Sequence, residues 1–163
     1  MSRITKEKNL ELVGRLSETL PYKFAIIGFL RERDTDYLNS FKHRYPRVDI
    51  RMNVSEDEKA DWLSRAKILL HPAINEPFGA TKLEAMSCGT VPLVNNSGGS
   101  PEGIPSDFIY NNIEECNTKI KKYLDGYDGA LARSLIEKSR AFSPERFMEN
   151  FNSIVCRRLD IKC

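Results

Sequence analysis

A chain of 163 residues with 40% hydrophobic side chains is the size of one domain and carries enough apolar material for a substantial core, which excludes a disordered segment. Its formal net charge is only +2, and Lys and Arg are scattered rather than clustered, which excludes a nucleic-acid footprint. The longest apolar runs, such as Phe24 to Phe29, fall far short of the roughly 20 residues that a membrane-spanning helix needs.

In chain order, short apolar runs alternate with helical periodicity, the pattern of a parallel sheet covered by helices. The opening segment Ser2-Arg3-Ile4-Thr5-Lys6-Glu7-Lys8-Asn9 is polar and leads into a helix, whereas a doubly wound fold opens on a strand. The expectation is therefore a first strand truncated at the N-terminus. Leu10, Val13, Leu16 and Leu20 form one helical stripe, Phe24 to Gly28 a strand, and Tyr37, Leu38, Phe41 and Tyr45 a second stripe. Asp34-Thr35-Asp36 before that stripe reads as a helix N-cap, although a D-x-D can also bind a metal with a diphosphate. Val48 to Met52 is the next strand, and the capping box Ser55-Glu56-Asp57-Glu58 starts a helix from Glu56 to about Ala66. Strands Ile68 to His71, Val91 to Val94 and Phe108 to Tyr110 follow. The rest is helical, with stripes at Ile113, Cys116, Ile120 and Leu124, then Leu131 and Leu135, then Phe147, Phe151, Ile154 and Val155, the last helix opening at Pro144. The Phe147 and Phe151 stripe is read as core packing. Residues 1–163 make one domain, with no internal linker or repeat.

Between the third and fourth of these strands lies Asn75-Glu76-Pro77-Phe78-Gly79-Ala80-Thr81-Lys82-Leu83-Glu84-Ala85-Met86. Gly79 permits close backbone approach, and Ala80 to Met86 is composed like a short helix. A phosphate is expected at the N-terminus of that helix, where free N–H groups favour an anion. Glu84 would lie some 7 to 8 Å deeper, at roughly 1.5 Å per residue. Two carboxylates flanking one phosphate position suit a sugar diphosphonucleoside. His71, at the end of a strand beside this stretch, is either a sugar contact or a packing residue, and His43 is a polar helix residue. Cys88, Cys116, Cys156 and Cys163 have neither zinc nor disulfide-framework spacing and read as reduced cytosolic thiols, Cys88 as a buried one.

These residues resemble glycosyltransferase family 4, the retaining GT-B sugar transferases. The resemblance rests on Glu76-Pro77-Phe78-Gly79, on Leu83-Glu84-Ala85-Met86-Ser87-Cys88-Gly89-Thr90-Val91-Pro92, on Gly98-Gly99 with Pro101-Glu102, on the Arg3 to Asn9 segment and on Phe142-Ser143. It implies an α/β fold, a Rossmann-like parallel sheet with helices on both faces that forms one half of a GT-B enzyme. It implies that Arg3 and Lys8 hold the donor diphosphate with the Gly79 and Ala80 amides, and that Glu76, Phe78 and Gly79 meet the donor sugar with Glu76 as the catalytic carboxylate. Glu84 would bind the ribose, and Asn53 and Val54 the base. No metal and no cofactor are implied. The partners implied are a nucleotide sugar, a missing N-terminal domain and a glycan or lipid-linked acceptor, with peripheral membrane association of a full-length cytoplasmic enzyme.

Ser2 and Asn9 stand where the family pattern has glycines, which leaves the charges in place and alters the loop. The expected function is that of a donor-binding domain of a retaining hexosyltransferase, with GDP-mannose preferred on the flavour of Asn95-Asn96-Ser97-Gly98-Gly99, and the domain alone is expected to be inactive. The alternative is a catalytically silent nucleotide-sugar-binding or scaffold domain of a multi-subunit assembly. A nicotinamide-binding domain is disfavoured, because no G-x-G-x-x-G follows a strand.

Overall fold

The computed structural model describes residues 2–159. Strands β1 (Ser2–Arg3), β2 (Phe24–Phe29) and β3 (Val48–Met52) form one parallel sheet, and β4 (Ile68–His71), β5 (Val91–Asn95) and β6 (Ile109–Tyr110) form a second. Helices α1 (Leu10–Thr19), α2 (Thr35–Arg44), α3 (Glu56–Arg65), α4 (Thr81–Ser87), α5 (Ile113–Asp125), α6 (Gly129–Ser139) and α7 (Pro144–Leu159) connect and cover them. The expected α/β fold class is thus present, and most elements fall within a residue or two of their expected bounds. The polar opening does contain a strand, though a two-residue one that pairs Ser2 with Gly28 and Arg3 with Phe29.

The two sheets leave a gap between them. Laid side by side they read β3-β2-β1 then β4-β5-β6, the doubly wound order with β1 at its centre. Because β1 reaches only the last two residues of β2, the β2 edge over residues 24–27 and the outer edge of β4 pair with no strand among the described residues. Both edges line one cavity of about 730 Å³, walled also by Leu10, Val13, Leu63 and Leu124. Two apolar cores result. One gathers Leu16, Met86, Leu93, Tyr110, Ile120 and Leu135 around the second sheet, the other Ile4, Val13, Ile26, Leu38 and Phe41 around the first. Phe24 and Leu70 pack against both.

Local chemistry sets the helix ends. The capping box at α3 is formed on both sides, with Glu58 N–H donating to Ser55 Oγ at 3.2 Å and Ser55 N–H to Glu58 Oε2 at 2.8 Å. Asp34 occupies the N-cap position of α2, but its side chain bonds no helix N–H. The final helix departs from expectation. Phe147 and Phe151 stack on each other with centroids 6.1 Å apart, yet are 64% and 51% exposed, and α7 buries no residue at all. Periodicity reported an amphipathic helix correctly but not a core to receive it.

His43 is exposed on α2, as expected. Cys116 is a buried free thiol, pushed up to about 12 by burial and by Glu115. Cys88 is free and half-buried. Cys163 lies outside the described residues. No helix among the described residues is long and apolar enough to cross a membrane.

Candidate functional site

The site stands where the chain leaves β1, β4 and β5. After β1 a single 3₁₀ turn, Lys6–Lys8, carries Lys8 to the mouth of β4, and Asn9 closes that turn with φ +53°. This is a left-handed conformation that glycine adopts freely and Asn tolerates, so the Asn9 departure from the family pattern preserves the backbone. Asn9 Nδ2 also donates to Pro72 O at 3.1 Å, tying the turn to the loop after β4.

Arg3, Lys8 and Glu76 come together. With Glu7, Arg33, Ala73, Ile74, Asn75 and Pro77 they line a cavity of about 380 Å³. Lys8 Nζ and Glu76 Oε2 form a short, part-buried ion pair between residues 68 positions apart. Asn75 has φ +55° and Gly79 φ +74°, so the chain turns twice around Glu76. A Cβ on Gly79 would lie 2.8 Å from His71 Nε2. The glycine therefore lets the turn sit directly on the imidazole. His71 has its pKa lowered, first by burial and then by Lys8 and Lys82, against the raising pull of Glu76. Its Nδ1 is buried without a hydrogen bond, and this nitrogen faces protein rather than water.

The other expected residues stand apart from that cavity. Glu84, on α4, pairs with Lys59 of α3 at 3.3 Å, and Lys59 also pairs with Glu56. The two glutamates thus have separate lysines and line no common cavity among those found; Arg3 and Lys8 reach the Lys59 side through the larger cavity, which Thr81 also borders. Asn53 and Val54 line neither cavity. Asn53, with φ +55°, accepts from Leu30 N–H at 3.2 Å and donates its own N–H to Gly28 O at 2.8 Å, a turn role at the ends of β2 and β3. Ala80 is the N-cap of α4, a helix of seven residues, without a side-chain cap. Phe78 is half-exposed, its ring 4.4 Å from Lys82 Nζ. Among the described residues no group of three His, Cys, Asp or Glu is placed to hold one metal ion, and Asp34-Thr35-Asp36 belongs to no such group.

Sequence reasoning missed Lys59 and Lys82. Lys82 shares a helix face with Ala85 and Met86, all three buried. A lysine at that spacing on an apolar face was the available signal.

Known proteins resemble the chain over most of its length. The family of glycosyl transferases group 1 matches residues 1–142. A glycogen synthase of Caldicellulosiruptor saccharolyticus is 36% identical over 106 residues, which cover 61% of this chain and 22% of that enzyme. A GDP-Man:Man(3)GlcNAc(2)-PP-Dol alpha-1,2-mannosyltransferase of Mus musculus is 35% identical over 105 residues, 60% of this chain and 20% of that one. Among solved structures, a glycosyltransferase of Rickettsia africae superposes with a TM-score of 0.77 at 24% identity over 97% of this chain and 46% of its own. The chain thus spans about a fifth of these curated relatives and just under half of that solved structure. With its α/β fold and the match over most of its length, the chain belongs to the glycosyl transferases group 1 family.

Proposed function

We propose that this chain is the donor-binding half of a retaining hexosyltransferase that uses a nucleoside-diphosphate sugar without a metal ion. The observation that carries this reading is the convergence of Arg3, Lys8 and Glu76 on one cavity beside the Gly79 turn. Two cations there suit a diphosphate, Arg through a fork of donors and Lys as a compact charge. They would also stabilise the negative charge that develops on the leaving nucleoside diphosphate as the glycosidic bond breaks. Glu76, already held against Lys8, is the carboxylate on this cavity that could meet a sugar hydroxyl or a positive anomeric carbon.

GDP-mannose is the first donor to test, supported by the mannosyltransferase relative, with a glycan or lipid-linked sugar as acceptor. The glycogen synthase relative makes glucose donors the comparison. A calorimetric titration of the chain with GDP, UDP and ADP and their sugars, in chelator, should give binding of one base. Arg3→Ala and Lys8→Ala should each weaken it by about 1.5 to 3 kcal/mol. Failure of every nucleotide to bind, with and without added divalent metal, would sink the donor-site reading. Binding that appears only with metal would remove the metal-free part of it.

A further inference from the structure

The loops after β4 and β5 are laced together around Glu76. Gly99 N–H donates to Glu76 O at 2.7 Å, and Asn75 N–H to Ser97 Oγ at 2.8 Å. The fit is backbone against backbone, since a Cβ on Gly99 would stand 1.9 Å from Pro77 O and one on Gly98 2.6 Å from Glu76 O. Beneath this joint lies Lys82, 0% exposed. Its Nζ donates to Gly99 O at 2.8 Å and Ser100 O at 2.9 Å, and lies 4.4 Å from the Phe78 ring centroid. An ammonium has three N–H donors; two are taken by carbonyls, and the charge is shared with the face of an aromatic ring.

Lys82 forms no ion pair among those found in the described residues, so its charge is stabilised by carbonyls and a ring at a real desolvation cost. Met or Leu would pack against Ala85 and Met86 without that cost. What the charge adds is a grip from α4 on the Gly99–Ser100 stretch of the loop after β5. Neither cavity is lined by Lys82, so it acts through others.

We propose that Lys82 is a positioning residue of the candidate donor site: from beneath, its ammonium holds the Gly99 and Ser100 carbonyls together with Phe78, and through the Gly99–Glu76 hydrogen bond it fixes where Glu76 stands beside Lys8. The proposal rests on the donor-site reading. The charged and titratable groups around Lys82 are Glu102 from the loop after β5, Glu76 from the turn after β4 and His71 at the end of β4. Burial lowers the Lys82 pKa against the raising pull of Glu102 and Glu76. On deprotonation the amine keeps N–H groups for both carbonyls but loses the charge that strengthens those bonds and attracts the ring.

The test uses the whole chain with Lys82→Met and Lys82→Arg. Hydrogen exchange at the Gly99 amide should quicken about tenfold in Lys82→Met while the β5 amides are unmoved, and Lys82→Arg should restore most of the protection. Affinity for GDP-mannose, UDP-glucose or ADP-glucose, whichever binds the parent chain, should fall about tenfold in Lys82→Met. In the parent chain, carbonyl carbon shifts of Gly99 and Ser100 followed from about pH 7 to about pH 11 should show an inflection below the ordinary lysine value, absent in Lys82→Met. Unchanged exchange, or unchanged donor affinity in a folded Lys82→Met chain, overturns the proposal. Should Lys82→Met not fold, the parent titration and Lys82→Arg decide, and a parent chain without the inflection overturns it. Quickened Gly99 exchange in a chain that binds no nucleotide sugar would leave the loop tether standing while removing the donor reading, so the two failures are distinct.

Discussion

Lys8 and Glu76 show what a single residue can carry and what only its neighbours reveal. Both were legible as candidates, but their union depends on a short turn whose closing residue is an asparagine in left-handed geometry. Gly99 is the stricter position, because its hydrogen joins a backbone that a methyl group would strike. Gly99→Ala should cost about 1 to 3 kcal/mol, read as a lowered midpoint in urea, whereas Gly126→Ala, whose Cβ would be 3.2 Å from Lys122 O, should cost less. His71 gives the pH prediction. Burial lowers its pKa from 6.5, so the unfolded chain binds the proton more readily than the folded one. The stability contributed by neutral His71 is present above pH 6.5 and is lost as pH falls through that value towards the lowered one. Thermal midpoints measured between about pH 5 and pH 8 should fall on the acid side, and His71→Gln should flatten the slope. Lys82 was missed for a reason of the same kind: its apolar helix face could be read, but the Gly99 and Ser100 carbonyls that hold its ammonium lie 17 and 18 positions along the chain.

At the scale of elements, local rules performed well wherever local forces decide. The α3 start could be read from Ser55 and Glu58 because the capping box is made of those two residues alone. Ser55→Ala should cost about 1 kcal/mol, measurable by chemical denaturation. The strands could be read from their apolar runs, which a sheet covered on both faces requires. The same apolar logic misled at α7, where a Phe stripe marks an amphipathic helix whatever it meets. Phe147→Ser with Phe151→Ser should therefore change stability by less than about 1 kcal/mol in total. Leu135→Ala, at 1% exposure in the core between α6 and the second sheet, should cost about 2 to 5 kcal/mol. A large loss from the Phe pair would mean that α7 is held against the domain after all. Asn53, expected near the base, turns the chain between β3 and α3, with its side-chain oxygen accepting from Leu30 N–H.

The whole molecule is two half-sheets around two cores, joined by Phe24 and Leu70 and parted by a cavity of about 730 Å³. The parallel sheet and its covering helices were legible in the alternation of apolar runs and helical stripes; the gap was not, because β1 is defined by what it pairs with and not by its composition. Amides that face the cavity from residues 24–27 and 68–71 should exchange faster than that of Val94, which pairs with β4 on one side and β6 on the other. Two parallel lines of backbone that pair with no strand among the described residues are also an invitation to another copy of this chain. Sedimentation should show self-association that grows with concentration and is blunted by Ala25→Lys, a charge set on the exposed stretch of β2. If that association is found, handling the chain becomes a question of adhesion, with the concentration at which it stays single set by peptide groups along a seam rather than by its small net charge.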